Sequence, residues 1–256
     1  MTGVPSLPDG FRLLHFPTIG STNDEAKALA RTGAPEGTLV WADEQTAGRG
    51  RRGRAWLSPP GNLYMSLIQR PGGPPSQAAQ LGFVAALGLG DALLELTGPG
   101  LRLSYKWPND LLADSRKLAG ILLESETGTG ERVDFVVIGA GTNLASKPGN
   151  VEFPATSLAE QGFDRVTPAL LLDAFVRHFA TWAERWRTAG FAPIREAWLA
   201  RGSGVGEDIR VRLERSTLTG RFHDLDQDGA LLLDAPADQG GGRRRIAAGD
   251  IFPAFG

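Results

Sequence analysis

The chain has 256 residues, 22% charged and 41% hydrophobic, with 27 Lys+Arg against 29 Asp+Glu. Its apolar content excludes a disordered chain, and its length suits one large domain or a large one plus a small one. With no cysteine and a formal charge of −2, a disulfide scaffold, a thiol nucleophile and thiolate metal sites are excluded, and non-specific coating of nucleic acid is disfavoured.

The first ten residues, MTGVPSLPDG, have neither the basic start nor the apolar stretch of a signal peptide. Thr22 and Glu25 then fit a capping box for a helix through AKALA that stops at Gly33. Thr38–Asp43 reads as a strand entering a Gly/Arg-rich loop over 44–54, and Leu63–Gln69 as the returning strand. After the linker PGGPP comes a helix over about 77–96, whose two apolar faces predict burial on more than one side. Gly82, Gly88, Gly90 and Asp91 interrupt it, so it falls short of the roughly 20 apolar residues a bilayer requires. No membrane partner is expected, and a cytoplasmic protein is the default.

Leu101–Trp107 alternates, placing Lys106 with Arg102 and Ser104 opposite Leu103 and Tyr105. GILLE and FVVIG predict two strands, Leu118–Glu124 and Val133–Ile138, buried on both faces. Thr167-Pro168 opens a helix with an apolar stripe at Leu171, Phe175, Phe179, Trp182 and Trp186. Beyond Gly204 the pattern turns to short strands, a small all-β module of about 50 residues. The chain therefore divides into domains at 1–204 and 205–256.

The densest chemistry lies in Gly48-Arg49-Gly50-Arg51-Arg52-Gly53-Arg54. Glycines admit an anion to the backbone and guanidinium groups bind phosphate bidentately. Like charges so close repel, so the loop is expected to stay mobile until an anion arrives. The pattern alone equally fits a solvated basic loop or a nucleic-acid contact. A Walker A loop is absent, and Gly139-Ala140-Gly141 lacks the third glycine of a dinucleotide fingerprint. His15, His178 and His223 have no partner at ligand spacing, which gives no support to a metal site or a Ser-His-Asp triad. Only four basic residues are lysines. Genome bias is the first reading of that ratio, and it singles out Lys106 and Lys117.

In chain order the sequence carries Ser21-Thr22-Asn23, ADEQTAGRGRRGRAW (42–56), SPPGNLYMSL (58–67), KWPND, RKLAGILLE and GAGTN (139–143). This ordered set resembles the biotin–protein ligases over nearly the whole chain. The resemblance implies an α+β fold: a mixed β-sheet with packed helices, class II synthetase-like, followed by a small SH3-like β-barrel. It implies ATP and biotin as substrates, Mg2+ as cofactor, and a biotin carboxyl carrier protein of acetyl-CoA carboxylase as partner. Relatives include monomers and homodimers. The matching block begins by Phe11, leaving no room for the DNA-binding winged helix of family members that also repress transcription, so no DNA partner is expected.

Residue by residue, the resemblance assigns Ser21, Thr22, Asn23 and Gln45 to the biotin head group, and Gly48, Arg49, Gly50 and Arg51 to the loop closing over biotin and phosphates. Lys117 is the lysine meeting biotin's carboxylate and the α-phosphate. Gly120, Gly139 and Gly141 form a floor under the ring system. Arg51, Arg54, Trp56, Lys106, Asn109, Asp110 and Asn143 surround ATP or the adenylate, with Lys117, Arg51 and Asp110 as catalytic groups. Asp110 is a candidate for magnesium or for deprotonating the carrier lysine. Lipoate ligases carry a different arginine–glycine motif. The common octanoyl transferases use a cysteine that this chain lacks.

Overall fold

Strand and helix segments assemble around two sheets in the computed structural model, which describes residues 7–128, 130, 132–149, 151–237 and 241–254. The chain runs β1 (Arg12–Ile19), α1 (Thr22–Arg31), β2 (Thr38–Gln45), β3 (Leu63–Gln69), α2 (Pro75–Ala79), α3 (Leu81–Thr97), β4 (Leu103–Lys106), β5 (Asp110–Ala113), β6 (Arg116–Thr127) and β7 (Val133–Thr142). It continues through α4 (Pro168–Ala189) and α5 (Ala192–Leu199). The last strands are β8 (Asp208–Arg212), β9 (Thr217–Leu225), β10 (Leu231–Ala235), β11 (Gly242–Ile246) and β12 (Asp250–Pro253). The first sheet has the order β1-β2-β3-β7-β6-β5-β4. It is mixed, with β1 parallel to β2 and the other pairs antiparallel.

Alternation along the strands sorts the faces of this sheet. Leu63, Met65 and Leu67 of β3 join α3 and α4 in the main core. Ile68 instead joins Val40, Phe135, Val137 and the α1 residues Ala26 and Ala30 on the opposite face. The length and composition of Pro75–Gly100 would suit a membrane span, but α3 is buried nearly throughout because it packs on both the sheet and α4. Gly88 permits that approach, since a Cβ there would lie 3.0 Å from the Phe179 backbone.

The start of α1 departs from the expected capping box. Ser21 is the N-cap residue and makes no side-chain cap; the Thr22 hydroxyl turns away to Gln45. Thr167, by contrast, caps α4 as expected, accepting from the Leu170 amide.

The C-terminal strands form an antiparallel sheet, β11-β10-β9-β8-β12. Its end strands do not pair with each other, so it is open where a closed barrel was expected. Ile209, Val211, Phe222, Leu231 and Ile251 from this sheet enter the main core, and the Trp107 indole N–H donates to the Gly229 carbonyl at 3.0 Å. The sequence Gly240–Arg245 reads as a turn beside a charged edge strand; Gly240 lies outside the described residues, and Gly242–Ile246 forms the edge strand β11, with Arg243 on Asp234 and Arg245 on Asp226.

Candidate active site

The face that carries α1 becomes a cleft where the helix begins. Phe135 and Val137 of β7 pack beneath α1, and the next two positions of the same face are Gly139 and Gly141. Gly141 pairs with Gly120 of β6, so the sheet loses its side chains beside the helix N-terminus. The resulting cavity has a volume of about 470 Å3. Of the residues assigned from sequence, all line it except Gly48. Gly48 acts sterically: a Cβ there would come within 2.5 Å of the Trp56 carbonyl oxygen and Ser58 Oγ.

The glycine floor carries the Trp56 indole. A Cβ on Gly141 would lie 2.6 Å from its Cε2 and Nε1, and one on Gly120 would lie 3.1 Å from its Cζ3. Trp56, expected near adenine, therefore occupies the space assigned to the ligand's rings, with its buried Nε1 making no hydrogen bond. Asn23 covers Gly139, where a Cβ would lie 2.1 Å from Asn23 Oδ1.

At the helix end of the cleft, Ser21, Thr22 and Asn23 are buried. Gln45 Oε1 accepts from the Thr22 amide at 2.8 Å and its hydroxyl at 3.0 Å. Asn23 Nδ2 donates to Glu124 at 2.8 Å, and Lys27 and Arg49 pair with the same carboxylate. Burial would raise the Glu124 carboxyl, but the Lys27 and Asn23 hydrogen bonds and Arg49 outweigh it, holding it below its ordinary value.

The arginine loop is offset by carboxylates, not left to repel itself as the sequence suggested. Arg49 is held by Asp24 and Glu124. Arg51, Arg52 and Arg54 lie 3.4, 3.6 and 3.3 Å from Asp250 of β12. Arg51 also donates to Asn109 Oδ1 at 3.2 Å, while Asn109 Nδ2 donates to the Ile121 carbonyl. Burial alone would raise the Asp250 carboxyl; Arg54, Arg51, Arg52 and Lys106 together hold it low.

Opposite the loop, Asp110 joins two lysines. Lys117 Nζ lies 2.6 Å from Asp110 Oδ1 and 5.3 Å from the centre of the Trp56 ring. Lys106 Nζ lies 3.7 Å from Asp110 Oδ2 and 4.0 Å from the centre of the Phe153 ring. Lys106 is buried, because Phe153 and Phe252 cover the face of β4 that it shares with Ser104. Burial lowers its pKa. Asn143 supports the floor by donating to the Thr156 carbonyl at 3.0 Å.

Residues 15–143 match the model of the biotin/lipoate A/B protein ligase family, and 204–252 match that of the biotin protein ligase C terminal domain. The biotin--[acetyl-CoA-carboxylase] ligase of Paracoccus denitrificans is 47% identical over 91% of this chain and 96% of its own length. This chain belongs to the biotin protein ligase family. The bifunctional ligase/repressor of Bacillus subtilis is 36% identical over 94% of this chain and 74% of its own. Among solved structures, the biotin protein ligase of Aquifex aeolicus in complex with biotin and ATP superposes with a TM-score of 0.79 at 27% identity, covering 94% of this chain and 97% of that one.

Residues that face or brace the cleft and were not found from sequence include Ser66, Ser58, Glu124, Asp250, Phe153 and Phe252. Ser66 and Ser58 sit inside the recognised blocks, but one buried hydroxyl in an apolar strand gives no periodic signal. Asp250 and Phe153 come from distant segments that only the fold brings to the cleft. The histidines stay apart, on Asp43, Glu95 and Asp234. No cluster of three metal-binding side chains exists among the described residues.

Proposed function

We propose that this cleft activates biotin with ATP to biotinyl-5′-AMP and passes the biotinyl group to a lysine of a biotin carboxyl carrier protein of acetyl-CoA carboxylase. The observation that carries the assignment is convergence in one cavity. A neutral polar cup, a side-chain-free floor, a lysine–carboxylate pair and an arginine loop all meet there. In the first step biotin's carboxylate oxygen attacks the α-phosphorus. A C–O–P bond forms, the bond to the β-phosphate bridging oxygen breaks, and pyrophosphate leaves. Lys117 sits where the two anions meet, and its point charge offsets their repulsion as charge shifts between them. Arg51 and Arg54 exchange Asp250 for phosphate oxygens. Trp56 leaves the glycine pair to cover the bound ligand, Gly120, Gly139 and Gly141 admit the rings, and Lys106, Asn109 and Asn143 line the adenylate side.

In the second step the carrier lysine's amine attacks the acyl carbon. The C–N bond forms, AMP leaves, and Asp110 is the base nearest the reacting centre for the amine proton. Magnesium would arrive with the ATP phosphates, and Asp110 is the cleft carboxylate that would help hold it and so offset phosphate charge. Residues 1–204 carry the chemistry. Residues 205–256 are an SH3-like module that meets the loop through Asp250, and the pairing of the loop arginines with Asp24, Glu124 and Asp250 disfavours DNA as a partner. The work is cytoplasmic, where ATP and the carrier meet.

The test is transfer. With magnesium-ATP, biotin and a carrier domain, pyrophosphate is released and the carrier gains one biotinyl group on one lysine. Lipoate in place of biotin gives no product. Modification with lipoate, or none with biotin, would overturn the assignment.

A further inference from the structure

The polar cup at the head of α1 has a proton order fixed from both ends. At one end, the Glu124 carboxylate accepts from Asn23 Nδ2 at 2.8 Å, which turns Asn23 Oδ1 toward Ser66 Oγ at 2.5 Å. An amide oxygen only accepts, so the single Ser66 proton goes there. At the other end, Ser58 donates to the Trp56 backbone carbonyl at 2.9 Å and receives Gln45 Nε2 at 2.9 Å. That fixes Gln45 Oε1 toward Thr22.

Thr22 Oγ1 lies where the two runs meet, 3.0 Å from Gln45 Oε1 and 2.8 Å from Ser66 Oγ. With the Ser66 proton committed to Asn23, both neighbours are acceptors. The Thr22 proton therefore points inward, and no protein donor among the described residues faces its lone pairs. Ser66 is fully buried on β3, paired with Gly139, so it touches the ligand site only through its neighbours.

We propose that Ser66, with Ser58, is a positioning residue that fixes this proton order, so that Thr22 Oγ1 meets the ligand only as an acceptor and selects a head group presenting an N–H. The inference rests on the biotin assignment above, whose cyclic urea offers two N–H donors. A site built around a hydrogen bond rejects a ligand lacking the donor far better than a shape-matched apolar wall does. Ser66→Ala removes one of the two inward acceptors for the Thr22 proton and the donor to Asn23. Gln45 Oε1 then holds the Thr22 hydroxyl alone, so its inward orientation is weakened.

The experiment is calorimetry of the full chain with biotin and with biotin methylated on either urea nitrogen, alongside steady-state kinetics. Wild type binds biotin and rejects one methylated isomer by about a hundredfold or more. In Ser66→Ala the dissociation constant for biotin rises about tenfold and that rejection falls about tenfold, while KM for ATP stays within twofold. Glu124→Gln, which lets the Asn23 amide turn over and present a donor to Ser66, lowers the rejection in the same direction; because it also weakens the hold on Lys27 and Arg49, the readout is the ratio between the methylated isomers and not affinity alone. It also reads the proposal should Ser66→Ala not fold. An unchanged rejection ratio in the variants, or wild type accepting both isomers, overturns the proposal and leaves the biotin assignment standing. Wild type failing to bind biotin at all overturns both.

Discussion

Replacing Asp250 by Asn removes one charge while keeping the side chain's shape, and its consequence follows from the surroundings. The Asp250 side chain is 11% exposed and faces Arg51, Arg52, Arg54 and Arg212 at 3.3–3.6 Å. Arg51 is the most buried of these partners, and a charge-assisted interaction of that kind contributes about 1.5–3 kcal/mol. The two other loop arginines, Arg52 and Arg54, are more than a third exposed, so screening holds each to about 0.5 kcal/mol or less, while Arg212 is Asp250's register partner on β8 and stays with it when the loop opens. Because Asn keeps a neutral hydrogen bond, the net loss in the closed loop is about 1.5–3 kcal/mol, or roughly ten- to a hundredfold in the open fraction. Trypsin reads this directly, since it cuts after arginine and its rate follows the opened population when closing is fast. Cleavage within 49–54 should therefore accelerate about ten- to a hundredfold in Asp250→Asn at pH 7. The folded-state pKa of Asp250 is depressed, so the wild-type advantage exists above the ordinary carboxyl value and is lost as pH falls through the depressed one. Denaturant melts of the two proteins should converge there. A change in cleavage under twofold at pH 7, or a stability gap that persists at low pH, would refute the reasoning.

Lys117→Ala should lower the rate of biotin-dependent pyrophosphate release by at least about a hundredfold, since its charge is uncompensated elsewhere at that point; circular dichroism should show the fold retained, and near-wild-type release would remove its role. Gly141→Ala should drive Trp56 off the floor, because a Cβ at 2.6 Å from the indole leaves no room. It should shift the emission spectrum and cost about 1–3 kcal/mol in urea melts, with Trp56→Phe abolishing the spectral change; an unaltered spectrum would mean the indole rests elsewhere. Glu95 is held down to about 2, chiefly by Arg177 and then His178, yet it is 40% exposed. Glu95→Gln should therefore cost under about 1 kcal/mol near neutral pH, and nothing once the wild-type carboxyl protonates on approach to pH 2. A larger loss in urea melts would show that exposure does not screen this pair.

The strands that alternate or run apolar on both faces could be read from sequence, and β3 was delimited without error at Leu63–Gln69. Strand β1 was missed because it is an edge, mostly exposed and interrupted by polar residues. Strand β5 was missed because four residues between a turn and a hairpin carry too little pattern. Helix α5 is two turns long, below the length at which periodicity separates a helix from a loop. Strand β12 fails for the same reason of length, and with it went Asp250, the residue that decides the state of the arginine loop.

That omission explains why the loop was misjudged. Counting charge along the chain, four guanidinium groups in seven residues repel and disorder one another. Counting it in space, Asp250 of β12, Asp24 of α1 and Glu124 of β6 offset much of that repulsion before any ligand arrives. The same distinction separates the lysines from the arginines. Arginine serves in the loop, where a planar fork can exchange a carboxylate for a phosphate with little change in geometry. Lysine stands at 106 and 117, on either side of Asp110, where a compact charge fits between an aromatic wall and a carboxylate and a fork would not. The loop thus holds exchangeable charge and the Lys–Asp–Lys group fixed charge. A site that must release pyrophosphate while retaining the adenylate, and then yield the biotinyl group to a carrier as AMP leaves, requires both.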